Sequence, residues 1–343
     1  MQIPLSRPDI TEREIEAVVD VLRTPNLSMG PKVGQFEAAM AEYTGRRRAV
    51  AVNSGTSGLF LSLLALGVGE GDEVVTTPFT FIASATTIMM TGAKPVFADI
   101  DRTTLNLDPT KIEGAITSRT KAILPVEIFG NPAGFDAICE VARRHGLTVI
   151  EDSCEALGST LNGRKAGTFG DASVFAFYPN KQITTGEGGM IVTNNESIAR
   201  IARSMRNQGR GEGAGWLTHE RLGYNFRLSD INCALGLAQL RRIDEILARR
   251  TRVAEMYLQR LAGDDRLRTQ KIIPGVEMSW FVFVVRLADR YGEADRDRML
   301  VVSALPGFTA KWLAPRLYRF AAAHPEIDTR IASTGALANF RTD

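Results

Sequence analysis

The residue best placed for covalent chemistry is Lys181, in the stretch GDASVFAFYPNKQITTGEGGMIVTN at positions 170–194. Residues 172–177 and 189–192 are apolar runs that read as strands, and Lys181 falls on the loop between them, followed by TTGEGG after one short apolar step. Its neighbours Phe175, Phe177, Tyr178 and Ile183 are apolar or aromatic, an odd setting for a charge that only serves solubility. Burial there presents the amine as a nucleophile that a carbonyl-bearing cofactor can capture. The alternative is a lysine snorkelling from a hairpin. A carboxylate upstream decides between them. Residues 147–150 form a β-branched run of buried-strand type, with Glu151, Asp152 and Glu155 following. Ligands of open α/β sheets bind at the carboxyl ends of strands, which is where Asp152 stands. A lysine to hold an aldehyde and a carboxylate to keep a ring nitrogen protonated are together what pyridoxal phosphate requires.

A third element binds anions. Residues 49–52 read as a strand and 59–66 as a helix entered through NSGTSG. Small residues at such a turn let backbone N–H groups converge, and the helix dipole favours a phosphate there. Gly55, Thr56 and Ser57 are therefore candidates to hold the cofactor phosphate, the alternative being an ordinary Ser/Thr cap. Further along, GDEVVTTPFTFIASATTIMMTGAKPVFADID repeats a strand, loop, helix, strand rhythm, which implies a wound, mostly parallel sheet.

The motifs EDSCEALGS and FAFYPNKQITTGEGGMI resemble the DegT/DnrJ group of sugar-nucleotide aminotransferases, which are fold-type-I pyridoxal-phosphate enzymes, and the similarity runs from Ile3 to about Leu287. The resemblance implies a three-layer α/β fold, with a large mostly parallel sheet domain and a smaller C-terminal α+β domain. It also implies that Phe81 stacks on the cofactor ring and that Glu155, where the family usually has glutamine, lies near the ring hydroxyl. Asn225, in GYNFRLSD, reaches the phosphate in the neighbouring subunit of a homodimer. Met29, in NLSMGPKVGQFE, belongs to a loop near the substrate pocket. Glu127 stands where many members carry histidine; it is either a substituted active-site group or a strand-end carboxylate in a structural hydrogen bond. Ala176 replaces a serine that supports the phosphate in many members. The implied reaction moves an amino group from L-glutamate to a nucleotide-linked keto sugar, in polysaccharide, surface-glycan or antibiotic-sugar biosynthesis. A keto-sugar dehydratase of the same family typically has histidine in place of the lysine, so Lys181 argues against it. A silent or regulatory cofactor-binding subunit is the remaining alternative.

Composition sets the frame around these motifs. The chain has 343 residues, 44% hydrophobic, enough for a large core plus a smaller domain. A formal net charge of +2 gives no reason to invoke nucleic acid or an acidic membrane. Cys139, Cys154 and Cys233 are odd in number and widely spaced, and His145, His219 and His324 lack metal-ligand spacing, so a disulfide frame and a metal are not expected. There is no secretion signal or span-length apolar run, which predicts a cytoplasmic protein. Thr11 and Glu14 predict a capping box at the first helix. Residues 36–43, 135–146 and a long stretch after Ser229 read as further helices. The expected boundary places residues 1–235 in the cofactor-binding domain and 236–343 in the small one, where 280–285 reads as a buried strand and 295–305 as a helix. The resemblance lapses after about residue 305, in a tail rich in alanine, threonine and arginine.

Overall fold

Alternation along the strands decides the architecture. In β1 (Arg48–Val52), Val50 and Val52 join one apolar cluster and Ala49 and Ala51 another, all four buried. Strands that are apolar on both faces must be covered on both. The same split divides Val74 from Val75, Ile150 from Val149 and Val174 from Phe175. The computed structural model describes residues 6–211, 213 and 217–292, and the backbone of 300–301 and 329–330.

The strands that follow β1 are β2 (Glu73–Thr76), β3 (Lys94–Phe97), β4 (Thr120–Leu124), β5 (Thr148–Asp152), a short β6–β7 hairpin (Thr160–Leu161 and Arg164–Lys165), β8 (Ala172–Ala176) and β9 (Gly189–Thr193). Six of them join β1 in one seven-stranded sheet of order β1-β9-β8-β5-β4-β2-β3, in which only β9 runs against its neighbours. The helices are α1 (Glu12–Leu22), α2 (Pro31–Thr44), α3 (Gly55–Ala65), α4 (Ala83–Met90), the one-turn α5 (Pro109–Ile112), α6 (Phe135–His145), α7 (Glu196–Arg206), α8 (Asp230–Arg241) and α9 (Ile243–Leu261). One face of the sheet packs Leu59, Leu61 and Leu63 of α3, Ile88 of α4 and Ala199 and Ala202 of α7. The other packs Phe36 and Met40 of α2 with Leu237 and Leu240 of α8, and Ile138, Val141 and Ala142 of α6. The result is the expected three-layer α/β body with a mostly parallel sheet.

Local rules account for the helix ends. The Glu14 carboxylate accepts from the Thr11 N–H at 2.7 Å and from its hydroxyl at 2.5 Å, closing the capping box. Gly146 ends α6 in the left-handed conformation, φ 63°. Ser229 caps α8 by accepting from the Asn232 N–H. The helix expected to run on from there breaks at Arg242, whose buried guanidinium binds Glu14, Asp9 and Glu245. Those three carboxylates and an irregular backbone angle at Arg242 separate α8 from α9.

Two units are distinguishable. The larger comprises Pro8–Leu247 with Lys271–Val282, including β11 (Val276–Glu277), which pairs with β6. The other includes Ala248–Gln270 and the chain from Phe283; in it β10 (Leu267–Thr269) pairs with β12 (Val285–Leu287), and Tyr257 stacks on Phe283. Residue 235, the boundary read from sequence, lies inside α8, and the division falls instead within α9. The strand expected at 280–285 also differs. Trp280 is left-handed at φ 53°, so regular strand begins only at Val285, and Trp280 to Val282 stay with the larger unit. Of the helix expected at 295–305, only β13 (Leu300–Val301) is described, as a strand paired with β14 (Thr329–Arg330); the rest lies outside the described residues.

Candidate active site

Six of the residues singled out above converge where theory places a ligand, beyond the carboxyl ends of β5 and β8 and at the start of α3. They line a cavity of about 470 Å³, with Gly55 and Thr56 of α3, Phe81, Asp152, Glu155 and Lys181 all on its wall. That volume suits a cofactor-sized molecule.

Asp152 reaches the cavity by strand parity. It follows Ile150 onto the α3 face of the sheet, while Glu151 points to the other. Its carboxylate is 6% exposed and accepts from the Ser84 hydroxyl at 2.7 Å and the Cys154 N–H at 3.3 Å. Ser84, near the start of α4, is itself bonded to Thr80. Lys181 lies in the turn after β8, where its N–H donates to the Tyr178 carbonyl at 2.9 Å. Its Nζ is 3.4 Å from Glu155 Oε1 and 4.1 Å from the centre of the Phe281 ring. The other Glu155 oxygen accepts from the Phe129 N–H at 2.8 Å. That N–H is aimed by a strained backbone: Phe129 is left-handed at φ 57°, and Gly130 follows at φ 84°, where an added Cβ would come within 2.7 Å of the Glu155 carbonyl. Burial pushes the Glu155 carboxyl upward, and the Lys181 charge pulls it back.

The start of α3 is a close-approach site. Ser54 caps the helix by accepting from the Ser57 N–H at 3.0 Å. Gly55 and Thr56, in the first helical turn, have no intrahelical acceptor for their N–H groups. A Cβ on Gly55 would meet Cys154 Sγ at 2.8 Å and Ala176 Cβ at 2.9 Å, so only glycine lets that backbone sit against the cavity. Asn180 Oδ1, also at the cavity, is buried and finds no hydrogen-bond donor among the described residues. An amine, a fixed carboxylate, unpaired N–H groups at a helix start and an exposed aromatic, Phe81, form a donor set that fits pyridoxal phosphate.

Three expected residues stand elsewhere. Glu127 follows the cavity-lining Val126 and takes the opposite face, fully buried, where it and Glu151 both accept from the Gly167 N–H, at 3.4 and 3.1 Å. Of the two readings of Glu127, the geometry matches the structural carboxylate. Met29 is exposed at φ 58° in the loop before α2, which is tied to Asp230 by the Gly30 and Lys32 N–H groups. Asn225 is exposed and bridges to Asn207, away from the cavity. Conversely, Tyr178, Asn180, Cys154 and Phe281 line the cavity without having been singled out for a role. The first two flank Lys181 closely enough for proximity to have found them. Phe281 gave no such signal.

Burial, then the Glu151 charge, pushes the Glu127 carboxyl well above its usual range, and Glu151 is pushed up to about 7. The folded pair thus holds protons that an unfolded chain, with carboxyls near 4.5, releases. Stability from this pair is complete below about pH 4.5 and is lost as pH rises through the folded titration. Glu127→Gln, which cannot ionise, should therefore stabilise the protein by roughly 1–2 kcal/mol at pH 8 and far less at pH 5. Denaturant midpoints of both proteins at the two pH values measure this. An equal difference at both would show that Glu127 does not titrate.

Comparison with known proteins finds similar sequences and structures. The sequence profile of the DegT/DnrJ/EryC1/StrS aminotransferase family matches residues 8–306. The chain is 43% identical over 291 residues to the GDP-perosamine synthase of Caulobacter vibrioides, covering 84% of this chain and 78% of that one. It is 41% identical over 307 residues to the spore coat polysaccharide biosynthesis protein SpsC of Bacillus subtilis, covering 87% and 79%. The Streptococcus pneumoniae protein Spr1654, solved in its PLP form, superposes with a TM-score of 0.80 at 32% identity, covering 84% of this chain and 79% of that one. No helix among the described residues is long and apolar enough to cross a membrane.

Proposed function

The chain belongs to the DegT/DnrJ/EryC1/StrS aminotransferase family, pyridoxal-phosphate enzymes, and from that premise we propose that it moves an amino group from L-glutamate to a nucleotide-linked keto sugar. The observation that carries the reading is the meeting of Lys181, Asp152 and the first turn of α3 on one cavity. The names of the relatives, a GDP-perosamine synthase and a spore coat polysaccharide protein, support a sugar acceptor used in a surface polysaccharide.

Pyridoxal phosphate, when bound, supplies a ring that accepts the electron pair released at the donor's α-carbon. Lys181 Nζ is the base that removes the α-proton of glutamate. In the second half of the cycle the same amine is the acid that returns a proton to the sugar carbon gaining nitrogen. Asp152, held by Ser84 and the Cys154 N–H, places a fixed negative charge for the ring nitrogen. Gly55 and Thr56 offer backbone N–H groups to the phosphate, the dipole of α3 reinforcing them. Phe81 would stack on the ring, and Glu155 would face its hydroxyl.

The active form proposed is a homodimer. Phe81, Ile82, Met89 and Met90 leave α4 and its approach with 73%, 64%, 62% and 53% exposed apolar side chains, a surface that a second copy would cover. Asn225, exposed and outside its own cavity, then serves the partner's site. The unit that includes Ala248–Gln270 supplies the smaller domain of the proposal, and Met29 marks a loop near the acceptor.

Steady-state kinetics test the reaction. Because glutamate must leave as its keto acid before the sugar reacts, initial-rate lines at several fixed sugar concentrations are expected to be parallel. Protein that binds the cofactor yet transfers nitrogen to no nucleotide-linked keto sugar would overturn the acceptor assignment.

A further inference from the structure

The cavity also shows how the lysine is held. The Lys181 side chain is 13% exposed, with a carboxylate oxygen of Glu155 3.4 Å from its Nζ and the face of Phe281 4.1 Å away. An aromatic face carries negative potential and attracts a cation, more strongly where water is excluded. Nothing local brings Phe281 there; a buried polar latch does. Gln182, adjacent to Lys181, donates through Nε2 to the Glu155 carbonyl at 2.5 Å and to Ser279 Oγ at 2.7 Å. Ser159 binds the same strap twice, its Oγ accepting from the Ser279 N–H at 2.9 Å and from the Ser279 hydroxyl at 2.9 Å. It also reaches the Gly130 carbonyl at 2.6 Å. Gln182, Ser159 and Ser279 are almost wholly buried. Between this latch and Phe281 stands Trp280, left-handed at φ 53° and 7% exposed. A bulky residue keeps such a conformation only where its surroundings over-determine it, and strain of that kind gathers at functional sites.

We infer that Phe281 is a positioning residue for Lys181: its ring face and the Glu155 carboxylate form a two-sided cradle that holds the ammonium end in the cavity whenever the lysine is free. The inference rests on the reading of Lys181 as the reacting amine. A lysine that carries protons between two carbons must stay within reach of both while unattached. Its four-carbon stem is flexible, and every return from solvent would cost rotamer freedom. The cradle removes that excursion.

Mono-, di- and trifluorinated phenylalanine at position 281 of the full chain test this, because each fluorine withdraws charge from the ring face with little change of shape. In cofactor-free protein, the rate at which an acylating reagent labels Lys181 at fixed pH, read by peptide mass mapping, should rise stepwise. The trifluoro protein should react roughly five- to tenfold faster than wild type. Phe281→Trp should label no faster than wild type, whereas Phe281→Leu, which fills similar space without a π face, should match the trifluoro protein. Glu155→Gln, which still accepts from Phe129, should also speed labelling. With cofactor, kcat should fall in the same order while the KM for glutamate stays within about twofold. Labelling that is flat across the fluorine series would overturn the cradle and leave Phe281 as space-filling. Amino transfer by Lys181→Ala would overturn the reading of the lysine instead, and the labelling result separates the two.

Discussion

Lys181→Ala is expected to lose amino transfer by at least about 10³-fold and to lose the visible absorbance of lysine-bound pyridoxal phosphate. Proton transfer by a positioned side chain is worth roughly 10²–10⁴ in rate, and on the proposed reading this amine would also hold the cofactor covalently between turnovers, so its removal would combine two losses. The carboxyl beside it, Glu155, is already engaged by the Phe129 N–H and is a poor substitute for an amine. The fold should survive, because the lysine's ion pair with Glu155 and its contact with the Phe281 ring lie at the edge of a cavity rather than in the core. Lys181→Ala should therefore keep the wild-type circular dichroism and unfolding midpoint. A variant that retains a tenth of the wild-type rate would remove Lys181 from the mechanism.

The same inactive protein probes the subunit arrangement. If Asn225 serves the partner's cavity, Asn225→Ala impairs a site whose lysine belongs to the other chain. Mixing Lys181→Ala with Asn225→Ala then creates heterodimers in which one site has both groups intact. At equal mixing about a quarter of all sites should recover, given a two-fold dimer and free exchange. No recovery in freely exchanging protein would place Asn225 with its own cavity or with none.

Much of this was legible because the elements that carry it announce themselves locally. Residues 147–150 and 172–177 are apolar and β-branched, so strands were readable there, and a residue at the carboxyl end of a parallel strand lies near a ligand by topology alone. Asp152 and Lys181 followed, and NSGTSG marked the first turn of α3 through its own capping chemistry. What sequence hid were consequences of register and of long-range contacts. Glu127 illustrates the first. A carboxylate just past β4 was evident, but the bridge of Val126 to Asp152 puts Val126 at the cavity, so its successor turns to the buried face beside Glu151. One step of parity separates the two roles. Trp280 illustrates the second. Its segment has strong β propensity, yet the bonds of Ser279 to Ser159 and Gln182 hold it in a left-handed kink that delivers Phe281 to the lysine. The break at Arg242 is similar, since it depends on Glu14 and Asp9 at the far end of the sequence. Propensity yields to tertiary contacts in such places.

Asp152→Asn separates charge from shape at the other half of the site, and is expected to lower kcat by roughly 10²–10³ while the cofactor's visible absorbance persists. Asparagine has nearly the same volume, and its amide oxygen can still accept from the Ser84 hydroxyl, so the carboxyl end of β5 need not move. What it cannot do is present a full negative charge to a ring nitrogen, and its amide NH2 would point toward the Cys154 N–H, replacing an acceptor with a donor. The loss should therefore appear in the step in which charge develops, with the KM for glutamate little changed. Ser84→Ala makes the complementary experiment. It leaves the carboxylate charged and removes one of its two hydrogen bonds, a change of about 1 kcal/mol, or roughly fivefold. A large effect of Asp152→Asn beside a small one of Ser84→Ala would assign the work to the charge. Equal effects would assign it to orientation, and a near wild-type Asp152→Asn would mean that the carboxylate, for all its burial at the strand end, does not face the ring nitrogen.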